Sequence, residues 1–422
     1  LVTLADWLAH WTTLHAQAIA LGLERVAAVA GRLGLGRPAP VCITVGGTNG
    51  KGSTVAFLDA ILRASGRVVG CYTSPHLLAY NERVRIDGEP VDDSELCAAF
   101  RRIEAAREGI ALTYFEAGTL AAWLVFEARE VDVAVLEVGL GGRLDAVNLV
   151  DADGAIVTTV DLDHQEFLGP DRESIGREKA GIFRGDRPAV VGDDDPPASL
   201  LQHAAQIGAQ LQRAGIDFRI DAGDGSGWQL AHADGTHWTL PQPALAGAVQ
   251  QRNAACAVAV LHALRAVLPV APAAIAQGIV GARCAGRLQR IADAPAIFVD
   301  VAHNPQAARE LARWLDGLPA APTAAVFAAL GDKDIEAIAD ALRGRFAHWW
   351  VAGLADESPR GLDAQALASR VARAGITALP AGSVADALDA ARAAVGPHGR
   401  VVAFGSFLTV AAALRAGGLH TA

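Results

Sequence analysis

The chain has no methionine among its 422 residues, the first position included. That points to a trimmed terminus or to residues missing from the chain as written. Cysteine is scarce: Cys42, Cys71, Cys97, Cys256 and Cys284 are scattered, with no C-x-x-C spacing. The pattern argues against a zinc site or a disulfide framework and fits small core residues in a reducing cytosol. Basic charge is in deficit, with 36 Lys and Arg against 46 Asp and Glu and a net charge of −10. Such a balance repels nucleic-acid phosphate, so nucleic acid is not an expected partner. Long apolar runs are also missing, because Gly, charge or Pro interrupts each one, and the first residues show no basic segment ahead of an apolar one. Neither a membrane span nor a signal peptide is expected, and the chain reads as soluble and cytoplasmic.

Apolar content, by contrast, is ample at 52%, with 19% charged. At 422 residues the chain exceeds one ordinary core, and two or three domains are expected. Leu4, Trp7, Leu8, Trp11, Leu14 and Ala18 fall on one helical face, which predicts a leading helix within 4–30, before Gly22. Apolar β-rich runs then alternate with helical segments: VCITV, VVGCY, a long helix near 116–129, DVAVLEV and AIVTTV. Strands of that kind are buried on both faces, which predicts an α/β fold with a mostly parallel sheet between helices. GWQLAHADGTHWTL reads as a hairpin turning at Asp234-Gly235. A second alternating series follows Gly286-Arg287, through AIFVD, TAAVFAAL, HWWVAG, ITAL and RVVAFGS. The expected domains are 1–285 and a smaller α/β domain, 286–422.

Between strand and helix lies VGGTNGKGST. It departs from the Walker A pattern, which would need Gly at 45 and Ser or Thr at 52 where the chain has Val45 and Gly52. Its glycines can still wrap backbone N–H groups around an anionic oxygen at a positive helix end. Lys51 adds a point charge, and Ser53 or Thr54 a hydroxyl for Mg²⁺. An ordinary Gly-rich turn would need neither.

Glu137 lies at the end of the strand in DVAVLEV, and His164 follows AIVTTV, so both are expected near the crevice where open α/β sheets bind ligands. The pair suits Mg²⁺, with Glu137 the better hard-ion ligand; alone, His164 reads as a structural histidine. Ser74, His76, Asn81, Glu82 and Arg83 crowd TSPHLLAYNERVRI, either as a polar site or as a capped loop. Lys179 closes the charged run RESIGREK, which is either a solvated helix face or a partly buried one. In the second domain AIFVD ends at Asp300 and runs into His303 and Asn304, where a carboxylate can accept from ribose hydroxyls.

These segments also carry a family resemblance. GTNGKGS, YTSPHL with NERVRI, LTYFEAGTLAA, LEVGLGGRLDAVN, LDHQEFLG with RESIGREKAGIF, AGRLQ, DVAHNP, GDKD and GSF resemble, in order, the motif series of folylpolyglutamate synthases. More narrowly they resemble the bacterial bifunctional kind that also has dihydrofolate synthase activity, relatives of the Mur peptide ligases. The resemblance spans residues 5 to 409 or so. It implies an ATP-dependent amide ligase with an N-terminal P-loop domain and a C-terminal Rossmann-like domain, acting on dihydropteroate, reduced folates and L-glutamate, and a monomer. Thr48, Asn49, Gly50, Lys51, Gly52 and Ser53 would hold the ATP phosphates. Ser53, Ser74, Glu137 and His164 would ligate Mg²⁺, joined by Lys179 as a carbamate. Asn253, Arg287 and Asp300 match the remaining ATP contacts, although PALAGAVQQRN before Asn253 departs from the usual run. The pterin would lie against Leu14-His15, Thr113, Tyr114, Phe115 and Glu116, and Leu144, Asp145 and Ala146. Closure about a hinge near Gly286 to Gln289 would bring His303 to the reacting group.

Three other readings have distinct signatures. A monofunctional folylpolyglutamate synthase would extend only tetrahydrofolate derivatives. A Mur ligase acting on a UDP-sugar would call for a further N-terminal domain, whereas here the leading helix runs almost directly into the loop at 46. A non-catalytic nucleotide switch would keep the loop without needing Glu137, His164 and Asp300 together.

Overall fold

The computed structural model describes residues 2–222 and 227–418. They form two compact units. The first comprises residues up to His76, Tyr80–Ala244 and Gln250–Arg283; the second comprises Leu77–Ala79, Leu245–Val249 and the chain from Cys284 onward.

The first unit is built on an eight-stranded sheet. From one edge its order is Glu89–Pro90, Val84–Ile86, Val69–Tyr72, Val133–Glu137, Val41–Gly46, Gly154–Val157, Pro188–Val191 and Gln210–Arg213. The six strands from Val69–Tyr72 onward pair in parallel; the two at the first edge are antiparallel. Val133–Glu137 and Gly154–Val157 are buried along their whole length, as strands covered by helices on both faces must be. Two helices are buried almost all round, Tyr114–Ala128 and Val249–Ala263, and each presents Ala and small side chains to its neighbours. Cys42, Cys71, Cys97 and Cys256 are buried and unpaired, as small core residues, and Cys284 is half-buried. Among the described residues no helix is long and apolar enough to cross a membrane.

The leading helix is shorter than its hydrophobic stripe. It spans Leu4–Leu14 and stops at His15, whose backbone is extended and whose Nδ1 accepts from the Gln17 N–H at 3.0 Å. A side chain that offers the backbone such a local bond competes with the next helical turn. A second helix follows at Glu24–Leu33. The expected hairpin is present, Trp228–His232 against His237–Leu240 with Trp228 opposite Leu240, and a third strand, Phe218–Ala222, joins it.

The helix that leaves the glycine loop, Lys51–Ala64, is crossed by Pro272–Gly281 at very short range. A Cβ on Gly278 would lie 2.4 Å from the Ile61 Cα and 2.5 Å from its N. Backbone cannot yield as a side-chain tip can, so Gly278→Ala should destabilise the protein by about 1–3 kcal/mol. Gly31 lies inside Glu24–Leu33 with nothing within 4 Å of its Cβ position, so Gly31→Ala should gain about 0.5–1 kcal/mol. Urea midpoints of the two variants should therefore move in opposite directions, and a common direction would refute the packing argument.

The second unit is a six-stranded sheet ordered Gln289–Asp293, Ala296–Asp300, Arg400–Phe404, Thr323–Phe327, His348–Ala352 and Ala378–Ala381. All neighbours are parallel except the first pair. Period-two alternation divides its two cores: Ala325, Phe327, Val402 and Phe404 pack into one, Ala324, Val326, Val401 and Ala403 into the other. Gln289–Asp293, with its polar QRIAD sequence, was not among the apolar runs and is an edge strand.

Candidate active site

The central strand Val41–Gly46 lies between Val133–Glu137 and Gly154–Val157, with Val45 level with Glu137 and Gly46 level with Val157. Three carboxyl ends therefore stop at one rim, and the loop Gly47 to Gly50 starts there. Two of its glycines are obligatory. Gly47 has φ 137° and a Cβ on it would lie 1.9 Å from Thr158 Oγ1; Gly50 has φ 88° and a Cβ would lie 2.6 Å from Asn253 Oδ1. Both the backbone sign and the space exclude a side chain.

The loop is held from behind by two threonines that sequence reading missed. Thr158 Oγ1 donates to the Asn49 carbonyl at 2.6 Å, and the Thr159 carbonyl accepts from Thr48 N–H at 2.7 Å. Thr48 Oγ1 in turn donates to the Asp161 carbonyl at 3.2 Å and accepts from its N–H at 3.0 Å. The available signal was a Thr-Thr pair closing AIVTTV at the rim. Lys51 Nζ donates to the carbonyls of Gly47 and Thr48 at 3.1 and 3.2 Å, so the ammonium lies back over its own loop. Ser53 is buried, and Thr54 Oγ1 is buried with no hydrogen-bond partner. Asn253 is buried and donates to Gln250 Oε1 at 2.9 Å.

Around Lys51 lies a cluster of buried charge. Asp145 accepts from the N–H groups of Leu140 at 2.8 Å and Val147 at 3.1 Å. Burial still pushes its carboxyl up to about 7 against those bonds and the pull of Lys51. Lys179, on Arg172–Ala180, is 4% exposed. Burial first and Lys51 second bring its ammonium down to about 7, while Asp163 and Asp145 act the other way. The helix face carrying Lys179 is therefore the buried one. Elsewhere on the rim Glu137 is buried, and its Oε2 accepts from Ser74 N–H at 3.2 Å. His164 lies in the loop beyond Val157, with φ 51°, heading the short helix Gln165–Leu168; its Nε2 is 3.9 Å from Asp163 Oδ2.

The residues expected to meet a pterin divide into two kinds. Thr113 and Glu116 form a capping box on Tyr114–Ala128, and Arg25 donates to Glu116 Oε1 at 3.0 Å, so their polar groups are engaged within the protein. Tyr114 and Phe115 are only partly buried, and the Arg83 guanidinium stacks over the rings of Tyr80 and Tyr114 at 5.4 and 5.3 Å. Leu14 and His15 are half-buried and Ala146 is buried. Gly22 N–H donates to the Leu144 carbonyl at 3.3 Å, which lays the chain after the first helix beside the 144–146 loop. In the polar loop after Val69–Tyr72, Arg83 Nε donates to His76 Nδ1 at 2.9 Å, and burial with that guanidinium takes His76 down to about 4. Asn81 is structural, donating to the Val91 carbonyl at 2.7 Å.

In the second unit Asp300 accepts from Leu288 N–H and Ala302 N–H, each at 2.8 Å. Burial raises its carboxyl, and Arg287 opposes that shift. His303 Nδ1 is 2.8 Å from the Val301 carbonyl, Arg287 lies 5.8 Å from the Phe407 ring centre, and Asn304 caps Pro305–Asp316 by accepting from Ala307 N–H at 2.9 Å.

The donor set fits a nucleotide and its divalent cation. Two glycines leave a cradle that any Cβ would fill, the helix end and Lys51 present positive charge, and Glu137 offers hard oxygen at the same rim. A phosphate loop on a parallel sheet, followed by a second parallel-sheet unit, is the layout of a Mur ligase. The Mur ligase middle domain family matches residues 45–261, and the Mur ligase glutamate ligase domain family matches 286–407. A dihydrofolate synthase/folylpolyglutamate synthase of Escherichia coli is 46% identical over 409 residues, 97% of this chain and 94% of the relative. The solved structure of E. coli FolC in complex with DHPP and ADP has a TM-score of 0.92 at 46% identity, covering 98% of this chain and 97% of the other. A bifunctional folylpolyglutamate synthase/dihydrofolate synthase crystallised with Mn, AMPPNP and L-glutamate has a TM-score of 0.90 at 45% identity, over 98% of each chain. The chain belongs to the dihydrofolate synthase/folylpolyglutamate synthase family of Mur ligases.

Proposed function

We propose that this protein is an ATP-dependent ligase that joins L-glutamate to dihydropteroate and, in a second activity, to the γ-carboxyl of reduced folates, releasing ADP and phosphate. The full-length likeness to bifunctional enzymes, at 46% identity, carries the reading. The glycine cradle beside Lys51 and Glu137 supports it independently.

A carboxylate resists attack because a nucleophile would add charge to an anion. Its oxygen therefore attacks the γ-phosphorus of ATP, ADP leaves, and an acyl phosphate forms. The glutamate amine then adds to the acyl carbon, phosphate departs, and the nitrogen loses a proton. Neither step needs a protein nucleophile. Thr48, Asn49, Gly50, Gly52 and Ser53 would hold the phosphates, and Lys51 would leave its own loop carbonyls to offset the charge that builds in transfer. Mg²⁺, held by Ser53, Ser74, Glu137, His164 and carbamylated Lys179, would supply further neutralisation of the phosphates. Asn253, Arg287 and Asp300 would contact the nucleoside side, and His303 the acyl phosphate. Leu14, His15, Thr113 to Glu116 and Leu144 to Ala146 would border the pterin. We take the enzyme to act as a cytoplasmic monomer.

Purified protein with ATP, Mg²⁺ and labelled glutamate should form amide with dihydropteroate and, separately, with tetrahydrofolate, one ADP per bond. Extension of tetrahydrofolate alone would remove the dihydropteroate half. ADP release that needs neither pterin nor glutamate would overturn the ligase reading.

A further inference from the structure

Away from the phosphate loop, three groups with metal-binding chemistry meet where the inserted hairpin packs on a helix end. His232 closes the strand Trp228–His232, Asp234 sits in the turn, and His262 lies in the last turn of Val249–Ala263. One ligand atom from each lies within 4.8 Å of the others. His262 Nε2 is 2.7 Å from Asp234 Oδ2, and His232 Nδ1 is 3.0 Å from Asp234 Oδ1. The imidazole centres are 4.8 Å apart, and the edge of Trp238 closes on His262 at 5.0 Å. The side chains of His232 and His262 are only 11% and 9% exposed, whereas Asp234 at 36% leaves an approach from solvent.

We propose that His232, Asp234 and His262 form a binding site for one zinc-class transition-metal ion, which fastens the hairpin to the helix. Two imidazoles and a carboxylate make a three-ligand zinc set with a fourth position for water. Mg²⁺ and Ca²⁺ prefer sets dominated by oxygen, whereas two of the three ligands here are imidazoles, and the site shares no residue with the one proposed at Glu137. The second observation concerns His232, whose Nε2 is buried with no hydrogen-bond partner. If Nδ1 accepts from Asp234 N–H, 3.3 Å away, the Nε2 proton has no acceptor; if Nδ1 donates to the carboxylate, the Nε2 lone pair has no donor. The ring is thus incompletely satisfied in either hydrogen-bonded tautomer, and a cation on Nδ1, the nitrogen that faces Asp234, would fix it as the Nε2–H form. The carboxylate is already aimed, since Asp234 Oδ1 accepts from Thr236 N–H at 3.0 Å. The Arg265 guanidinium, 3.8 Å from Asp234 Oδ2 and donating to the His262 carbonyl at 2.8 Å, places opposing charge nearby, but its side chain is 60% exposed and screened by solvent.

The test is equilibrium dialysis of metal-free, nucleotide-free full-length protein against Zn²⁺ in excess Mg²⁺, with Co²⁺ as an optical probe of coordination. One Zn²⁺ per chain is expected, together with the visible spectrum of a low-coordinate Co²⁺ site. Asp234→Asn, which keeps the shape, and His262→Ala should each weaken binding by at least about tenfold, and Glu137→Ala should not. Circular dichroism shows whether each variant is folded, and Asp234→Asn decides if His262→Ala is not. No stoichiometric Zn²⁺ in the wild type, unchanged binding in Asp234→Asn, or loss in Glu137→Ala would each overturn the site.

Discussion

Lys51→Ala should lower the rate of amide formation by about a thousandfold or more while leaving the protein folded. The loss follows from the proposed role: positioned positive charge against a transferring phosphoryl group is worth that order in rate, because little else in the step is covalent work for the protein. The small structural cost follows from where the ammonium sits. It is half-buried and its donations include two carbonyls of its own loop, Gly47 and Thr48, so truncation removes on the order of 1.5–3 kcal/mol of hydrogen bonding, less than a whole domain's stability. Single-turnover ADP formation and a thermal melt on the same preparation separate the two effects. Near-normal turnover would refute the phosphate assignment, and a collapsed melt would show that the lysine is mainly structural.

Lys179→Met should give the opposite pairing, with activity lost and the metal-free protein more stable. Burial takes the Lys179 ammonium down from 10.5 to about 7, which at about 1.4 kcal/mol per unit means that folding bears a cost of several kcal/mol at low pH. Below about pH 7 both folded and unfolded chains hold the proton and the whole cost is present. Between about pH 7 and 10.5 the unfolded chain keeps a proton that the folded one has lost, so stability rises with pH. Methionine removes the buried charge and with it that slope. Urea midpoints of chelator-treated protein across this window should rise for the wild type and be flatter for the variant; equal slopes would sink the assignment. The same shift has a chemical use. Only the neutral amine adds CO₂, losing a proton to become the carbamate proposed as a metal-binding anion, and burial keeps a large neutral fraction near neutral pH. Depleting CO₂ should therefore lower wild-type activity, and bicarbonate should restore it.

Local rules made much of this legible in advance. The glycine loop stood out because a strand, a Gly-rich turn, a lysine and hydroxyls follow one another within a few residues, and Glu137 because it ends an apolar strand. Less legible was the fine division of roles among the residues proposed to border a pterin. Thr113 and Glu116 read as candidate ligand contacts, and what the sequence did not show is that their polar groups are also engaged with each other and with Arg25, 91 residues from Glu116. The first helix was overextended because its apolar stripe continued to Ala18, while a bond between His15 and Gln17 accompanies its end. Thr158 and Thr159 escaped notice because their bonds to the loop span about a hundred residues of chain.

By itself the sequence determined what depends on neighbours along the chain: strand and helix periods, the glycines that only a positive φ requires, and the charge and hydroxyls of the loop. The tertiary structure decided what depends on the surroundings. It placed Asn253 against Gly50, brought Lys51, Asp145, Asp163 and Lys179 into mutual range, and set His232, Asp234 and His262 together. The physical reason is the same in each case: a titration state or a ligand set is fixed by burial and by distances through space, and residues far apart in the chain acquire those only when the helices close over the sheet.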